Sequence, residues 1–296
     1  MSTAVQLPSV AWRHIPGPSI NSLVGSGAVA ATDEQLTAVY WTGGGGSAWL
    51  QSSSTTDLQT WQAASVSNVG SSLQSPAVSA AVWNGVVYAG MVDETGGPQC
   101  VVISTSSPVG LPTPGPTTGT PVLTAGTDGL FAVYSASSAL WCVSSSDTKS
   151  WGGPYQIPGA ATTGDPAVTV YNGRVHVFFV VGTGSNMQLL HTSSVDGVSW
   201  RAPVPVGSPP VTGATSGSGA GVFNGMLYVG GQITGSSGLG YVASVDGETW
   251  SDVQPVPGLA AGAGYSPCLA STDTALYWLA QHDGDTTLPL LQMTLD

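Results

Sequence analysis

The chain has 296 residues, of which only 7% are charged, against roughly a quarter in an ordinary globular protein; yet 42% are hydrophobic, with ten Trp and nine Tyr, which excludes a disordered chain. Sixteen acids against four bases give a formal net charge of −12, and Arg13, Lys149, Arg174 and Arg201 are too few and too scattered to follow a nucleic-acid backbone or to capture an anionic membrane or polyanionic glycan. No apolar run approaches the roughly 18 residues of a membrane span.

Met-Ser-Thr-Ala-Val-Gln, at the start, has no basic region followed by an apolar stretch, so a conventional signal peptide is not expected. No Asn-x-Ser/Thr sequon occurs. The expectation is a cytoplasmic protein, or one released without such a signal. The first predicted element is the strand Val10-Ala11-Trp12-Arg13-His14-Ile15-Pro16. A repeat then begins: Gly27-Ala28-Val29-Ala30, Leu36-Thr37-Ala38-Val39-Tyr40, a third strand Ala48-Trp49-Leu50-Gln51, and a turn Thr56-Asp57-Leu58-Gln59-Thr60-Trp61. The second copy reads Ser75-Pro76-Ala77-Val78, Asn84-Gly85 and Val86-Val87-Tyr88-Ala89-Gly90. Its continuation, Ser106 to Gly115, is Pro-rich and lacks the Trp, so its outer strand is predicted short or irregular.

The third copy has Thr120-Pro121-Val122-Leu123, Asp128-Gly129, Leu130-Phe131-Ala132-Val133-Tyr134, Leu140-Trp141-Cys142-Val143 and Ser146-Asp147-Thr148-Lys149-Ser150-Trp151. The fourth has Asp165-Pro166-Ala167-Val168, Asn172-Gly173, Arg174-Val175-His176-Val177-Phe178, Leu189-Leu190-His191-Thr192 and Ser194-Val195-Asp196-Gly197-Val198-Ser199-Trp200. The fifth has Ala220-Gly221-Val222, Asn224-Gly225, Met226-Leu227-Tyr228-Val229 and Ser244-Val245-Asp246-Gly247-Glu248-Thr249-Trp250. The sixth has Ser266-Pro267-Cys268-Leu269 and Ala275-Leu276-Tyr277-Trp278, and ends on a third strand, Leu290 to Asp296.

Repeats of roughly 45 to 50 residues belong to propeller blades. Asn-Gly and Asp-Gly are strong hairpin signals, because a type I′ turn needs positive φ at both central residues. The β-branched and aromatic runs after them suit strands, and no capped helical pattern survives the 41 Gly and 21 Pro. The prediction is an all-β, six-bladed β-propeller with four-stranded antiparallel blades, one domain over residues 1–296. Its last blade lacks an outer Trp strand. Val10 to Pro16 parallels Ser199-Trp200-Arg201-Ala202-Pro203 and supplies it, so the N-terminal strand closes the ring and removes its free edges.

The turn segments resemble the Asp-box (Ser-x-Asp-x-Gly-x-Thr-Trp) of sialidase-like propellers, one residue short between Asp and Gly. The whole unit, Pro-Ala-Val, Asn-Gly, an aromatic strand and Asp-Gly-x-x-Trp, resembles the blades of fungal and bacterial propeller lectins. The resemblance spans nearly the whole chain and implies a blade more than a ligand. Sialidases hold the substrate carboxylate with three Arg and use a Tyr–Glu pair and an acid Asp. Here Arg13 and Arg201 follow outer-strand Trp residues at the rim and cannot meet Arg174 at the axis, so sialidase activity is not expected.

Other glycosidases need two carboxylates facing across a pocket. Only Glu34, Glu94 and Glu248 are Glu, and Asp57, Asp147, Asp196 and Asp246 form turns. Asp33, Asp93, Asp165, Asp273, Asp283 and Asp285 are freer, and Asp33, Asp165 and Asp273, at inner-strand ends, are the candidate axial acids. His14, His176, His191 and His282 lack metal-ligand spacing. His282-Asp283-Gly284-Asp285 has calcium-type oxygens, but reads first as a solvated hairpin turn; no cofactor is expected. Cys100, Cys142 and Cys268 form neither a disulfide framework nor a zinc site.

Few charges, many aromatics and abundant neutral hydrogen-bonding side chains suit sugars. Trp12, Trp61, Trp151, Trp200 and Trp250 occupy an outer-strand column and are expected to pack between blades. Trp49 and Trp141 are read as one structural column, and Trp278 as buried. Trp41, beside the Gly43–Gly46 run, and Trp83, before Asn84-Gly85, are the expected exposed stacking platforms. Gln51, His191 and Gln232 are polar candidates near strand ends. The functional expectation is a non-catalytic, lectin-like propeller for neutral glycans, with fewer working sites than blades. The alternatives are an enzyme with an axial active site and a protein-interaction scaffold.

Overall fold

In three hairpins the Asn-Gly pair closes a two-residue turn with both residues at positive φ: Asn84 and Gly85 at 50° and 73°, Asn172 and Gly173 at 48° and 69°, Asn224 and Gly225 at 48° and 67°. This is the type I′ geometry that joins twisted strands without splaying them. Asp128-Gly129 departs from the expectation. There Gly126 pairs with Gly129 around Thr127-Asp128, and Gly129 is needed for close approach, since an added Cβ would lie 2.2 Å from the Ser145 carbonyl oxygen.

The computed structural model describes residues 5–20, 23–44, 47–71, 77–162, 164–182, 187–207, 219–232, 238–260, 267–280 and 287–296. No α-helix occurs among them. Blade 1 is β2 (Leu23–Ala31), β3 (Leu36–Gly44), β4 (Ser47–Thr55) and β5 (Gln62–Ser71). Blade 2 is β6 (Ser79–Trp83), β7 (Val86–Val92), β8 (Pro98–Val102) and β9 (Ser107–Gly110), its outer strand short as predicted. Blade 3 is β10 (Val122–Gly126), β11 (Gly129–Ala136), β12 (Ala139–Ser145) and β13 (Gly152–Gln156). Blade 4 is β14 (Ala167–Tyr171), β15 (Arg174–Val181), β16 (Gln188–Ser194) and β17 (Val204–Pro205). Blade 5 is β18 (Gly219–Phe223), β19 (Met226–Gln232), β20 (Gly238–Ser244) and β21 (Gln254–Ala260). Blade 6 is β22 (Cys268–Ser271), β23 (Leu276–Leu279), β24 (Leu290–Leu295) and, from the other end of the chain, β1 (Val10–Ile15). β1 runs antiparallel to β24, from Val10 opposite Leu295 to Ile15 opposite Leu290. The predicted six-bladed propeller and its closure by the N-terminal strand are both present.

The inner strands meet in a circle: β2 with β6, β6 with β10, β10 with β14, β14 with β18, β18 with β22, and β22 with β2. They run the same way, because their starts adjoin. Leu123 N–H donates to Ser79 Oγ (3.2 Å), whose hydroxyl donates to the Pro121 carbonyl (2.7 Å). Thr120 N–H, just before β10, donates to Asp165, just before β14 (3.2 Å). All inner strands therefore start at one face of the ring and turn back at the other. Crowding at the axis selects small residues: a Cβ added to Gly219 would sit 2.3 Å from the Pro267 carbonyl oxygen.

Among the described residues there is no central core. Six separate apolar clusters lie one in each seam between neighbouring blades. The five outer-column Trp residues divide among them, each facing the preceding blade: Trp12 in seam 5/6, Trp61 in 6/1, Trp151 in 2/3, Trp200 in 3/4 and Trp250 in 4/5. Burial of aromatics of this size is worth a few kcal/mol each. Trp278 is fully buried in seam 5/6, beside Trp12 (centroids 6.0 Å apart) and Tyr241 (5.9 Å).

Candidate functional site

The Asp turns share one hydrogen-bond pattern. A hydroxyl (Thr55, Ser145, Ser194 or Ser244) donates to the Asp Oδ1, which also accepts two backbone N–H groups from the residues that follow. In Asp196, the N–H groups of Ser199 and Val198 and the Ser194 hydroxyl bring the carboxyl down to about 2. In Asp246 burial pushes upward, but the donors of Thr249, Glu248 and Ser244 prevail and leave it at about 2. Asp57 and Asp147 are lowered by the same kind of backbone donors. These four carboxyls cannot hold the proton that a general acid needs near neutral pH. They are structural.

The residue after each Asp is left-handed: Leu58 (φ 59°), Thr148 (62°), Gly197 (72°) and Gly247 (76°). The turn presses that residue onto the preceding blade. A Cβ on Gly197 would lie 3.1 Å from Phe131 Cε1 and 3.3 Å from Cys142 Sγ, and one on Gly247 would lie 2.7 Å from His176 Cε1. Thr148 is β-branched and pays about 1–2 kcal/mol for this conformation, more than the extra flexibility of an unfolded Gly costs. Thr148→Gly is therefore expected to stabilise the fold by about 0.5–1 kcal/mol, read as a higher urea midpoint; a lower midpoint would refute the strain argument.

His191 lies in the interior of seam 4/5. It stacks on His176 (centroids 5.0 Å apart, planes at 9°) with His176 Nδ1 and His191 Nε2 2.9 Å apart, and also on Phe178 (4.8 Å). Trp250 closes the pocket edge-on to both Phe178 and His191. Both imidazoles are buried, and His176 Nε2 has no hydrogen-bond partner among the described residues. Burial first, then Arg174 and Arg201, push His176 down to about 4, against a pull from the Tyr171 backbone. Burial, His176, Arg201 and Arg174 push His191 down to about 3. The expectation of His191 as a ligand-reaching polar group is thus corrected: its ring is enclosed by aromatic packing.

The three candidate axial acids do not share one face of the ring. Asp33 and Asp273 are exposed and sit in the turns after β2 and β22, whereas Asp165 precedes β14, at the opposite face. Asp165 is half-buried against Thr120 and Gly119, and burial raises it to about 6, opposed by the Thr120 N–H. Asp93 is tied to Thr95, Gly97 and Gln99 within its own loop. Arg13 stands on the outer strand of blade 6; Arg174 donates to Ser193 (3.2 Å) and Arg201 pairs with Glu248 (2.5 Å). No group of three or more metal-ligating side chains occurs among the described residues. His282, Asp283 and Asp285 lie outside them.

Trp41 is fully enclosed in seam 1/2, its indole N–H donating to the Ala77 carbonyl (3.3 Å). The expected exposed platform at Trp41 is therefore absent, because the blade 2 inner segment covers it. Gln232, half-buried, takes the same register position in blade 5, five residues after Leu227 as Trp41 is after Leu36. Trp83 is half-buried beside Tyr88 (6.5 Å) in seam 2/3, with its indole N–H enclosed. Trp83 shares its position with Tyr171 and Phe223, each the last inner-strand residue before an Asn-Gly turn, so a packing role replaces the expected open platform.

The exposed aromatics are others. Trp49 is 52% exposed and Tyr155, on β13, is 40% exposed. Trp49 lies opposite Thr42 on β3 and Gly70 on β5. Half-buried Gln51 is two residues further along the same side of β4. Trp49 and Trp141 do not share a column. Counted back from the hydroxyl that opens each Asp turn, Trp49 is six residues before Thr55 and Trp141 four before Ser145. That hydroxyl is the landmark that makes the register readable. Thr42 pairs with Leu23 near the start of β2, which puts Trp49 at the face where inner strands begin.

No protein-family model matches the sequence, and no curated protein matches it in sequence. Solved structures do match in fold. A six-bladed fungal lectin from Aleuria aurantia, described by its fucose recognition, is 13% identical, with 94% of this chain and 93% of that chain covered and a TM-score of 0.66. A Trypanosoma rangeli sialidase is 14% identical over 96% of this chain and 59% of that one, with a TM-score of 0.60. A neuraminidase-like protein of an influenza A virus from a flat-faced bat is 10% identical over 100% and 98% of the two chains, with a TM-score of 0.59. The fold is that of the lectin and sialidase propellers.

Proposed function

We propose that the chain is a non-catalytic carbohydrate-binding propeller that recognises neutral glycans. The observation that carries this is Trp49, a large indole left half exposed on the third strand of blade 1. Sugars present a C–H face to such a ring, and burying about 100 Å² of it contributes roughly 2 kcal/mol. The Aleuria aurantia lectin, named for fucose recognition, uses the same architecture for sugar binding.

A hydrolytic reading has less support. Sialidases share the fold, but among the described residues Asp165 stands at the face opposite to Asp33 and Asp273, and the Asp turns hold their carboxylates ionised. Calorimetry against neutral oligosaccharides tests the proposal. Binding is expected, with Trp49→Ala weakening it about tenfold or more, since 1.4 kcal/mol is a factor of ten. Failure of the intact chain to bind any neutral glycan on a broad array would sink the reading.

A further inference from the structure

We infer that the ring holds one saccharide, not six, at the outer end of the seam between blades 6 and 1, and that its ligand is a pyranose presenting an unsubstituted C–H face to Trp49. This rests on the carbohydrate-binding reading and deepens it. The position that Trp49 occupies in blade 1 is held by Gly97 in blade 2, Ala139 in blade 3, Gln188 in blade 4, Gly238 in blade 5 and Thr287 in blade 6. Five blades close and pack without an aromatic there, so the blade fold does not require one.

The side on which Trp49 lies fixes the seam. Trp41 and Leu50 point into seam 1/2, while Tyr40, the neighbour of Trp41, packs in seam 6/1. Alternation along each strand puts Thr42 and Trp49 on the Tyr40 side. The segment from β1 to β2 crosses the same seam: Ile20 is buried there, Ser19 bridges to Thr287, and Gly17 lies so close to the Leu288 carbonyl that it has no room for a side chain. The platform therefore faces the seam that ring closure forms. Tyr155, the other exposed Trp or Tyr ring among the described residues, is on the outer strand of blade 3, where Val204 and Gln254 hold the corresponding positions opposite His191 and Tyr241; it belongs to the rim.

The test is titration of the full chain with methyl glycosides of glucose, galactose, mannose and fucose, followed by native mass spectrometry and indole fluorescence. One equivalent of the preferred glycoside is expected, with a fluorescence change. Trp49→Ala should lose both by at least tenfold without lowering the melting temperature, Trp49→Tyr should keep part of the affinity, and Tyr155→Ala should leave it unchanged. Two or more equivalents, an unaltered Trp49→Ala variant, or loss of binding in Tyr155→Ala would overturn the one-site inference while leaving carbohydrate binding intact. No binding of any glycoside, with an equally blank neutral glycan array, would overturn both.

Discussion

Deleting residues 1–17 is expected to lower the melting temperature by more than 10 °C and to make the protein aggregate. β1 is the outer strand of blade 6, and it completes a ladder of six residue pairs with β24. Its Trp12 ring is 6.1 Å from Tyr241 and 6.0 Å from Trp278, Ile15 is buried in seam 6/1, and Val5, Leu7 and Val10 pack on the blade 5/6 cluster. At about 1.5–3 kcal/mol for each fully buried apolar side chain, and less for the partly buried ones, the segment contributes of the order of 5 kcal/mol. For a domain of this size that is roughly 2–4 °C per kcal/mol. Deletion also bares the edge of β24, a template for intermolecular pairing. Thermal melts with light scattering check this; a truncated chain that melts like the intact one, without scattering, would show that the last blade does not depend on the first strand.

Acid is expected to destabilise the ring through seam 4/5. His176 and His191 have folded values of about 4 and about 3 against 6.5. A depressed imidazole binds fewer protons folded than unfolded, so its stabilisation is complete above 6.5 and is lost as pH falls toward the folded value. Geometry points the same way: with one hydrogen bond joining the two rings, the nitrogens cannot both carry protons. Between pH 7.5 and 4.5 the pair therefore loses stability as its imidazoles protonate more readily unfolded than folded. Asp165 works in reverse. Raised to about 6 from 3.8, it takes up protons more readily folded and returns about 2 kcal/mol over the same window. The Asp turns enter only below about pH 4, where Asp196 and Asp246 begin to protonate in the unfolded chain.

A net loss of stability is therefore expected at pH 4.5, read as a lower urea midpoint than at pH 7.5, because two imidazoles oppose one carboxyl. Blade 3 supplies the control, because Phe131 and Cys142 occupy the positions of His176 and His191 beneath the corresponding glycine. The double variant His176→Phe, His191→Cys should be no less stable at pH 4.5 than at pH 7.5. If it falls in acid as the parent does, the histidine pair is not the cause.

The blades were readable because hairpin chemistry and the outer Trp recur at matching places, and both are local: Asn84-Gly85 needs positive φ whatever surrounds it. Asp128-Gly129 looked the same but was not, since a glycine selected for close approach to Ser145 leaves the same trace as one selected for a turn. Ring closure was legible from Trp12, whose surroundings match those of Trp200. The site was less legible because exposure depends on the neighbouring blade, which local sequence does not reveal. Trp41 looked open beside its glycines until blade 2 covered it, and Trp49 looked structural because it was paired with Trp141. The axial acids failed similarly: all three are at inner-strand ends, but Asp165 is at the end opposite to Asp33 and Asp273.

Because the apolar interior is divided among six junctions, injuries to the molecule are shared only between adjoining wedges. Two damaging substitutions on opposite sides of the circle touch no common neighbour and should simply sum, whereas two on the same wedge should interfere with one another. A protein organised in this way drifts wedge by wedge, each position answering to two partners and no centre, which is how one sector can acquire a projecting indole while the other five keep glycine, alanine, glutamine or threonine in its place.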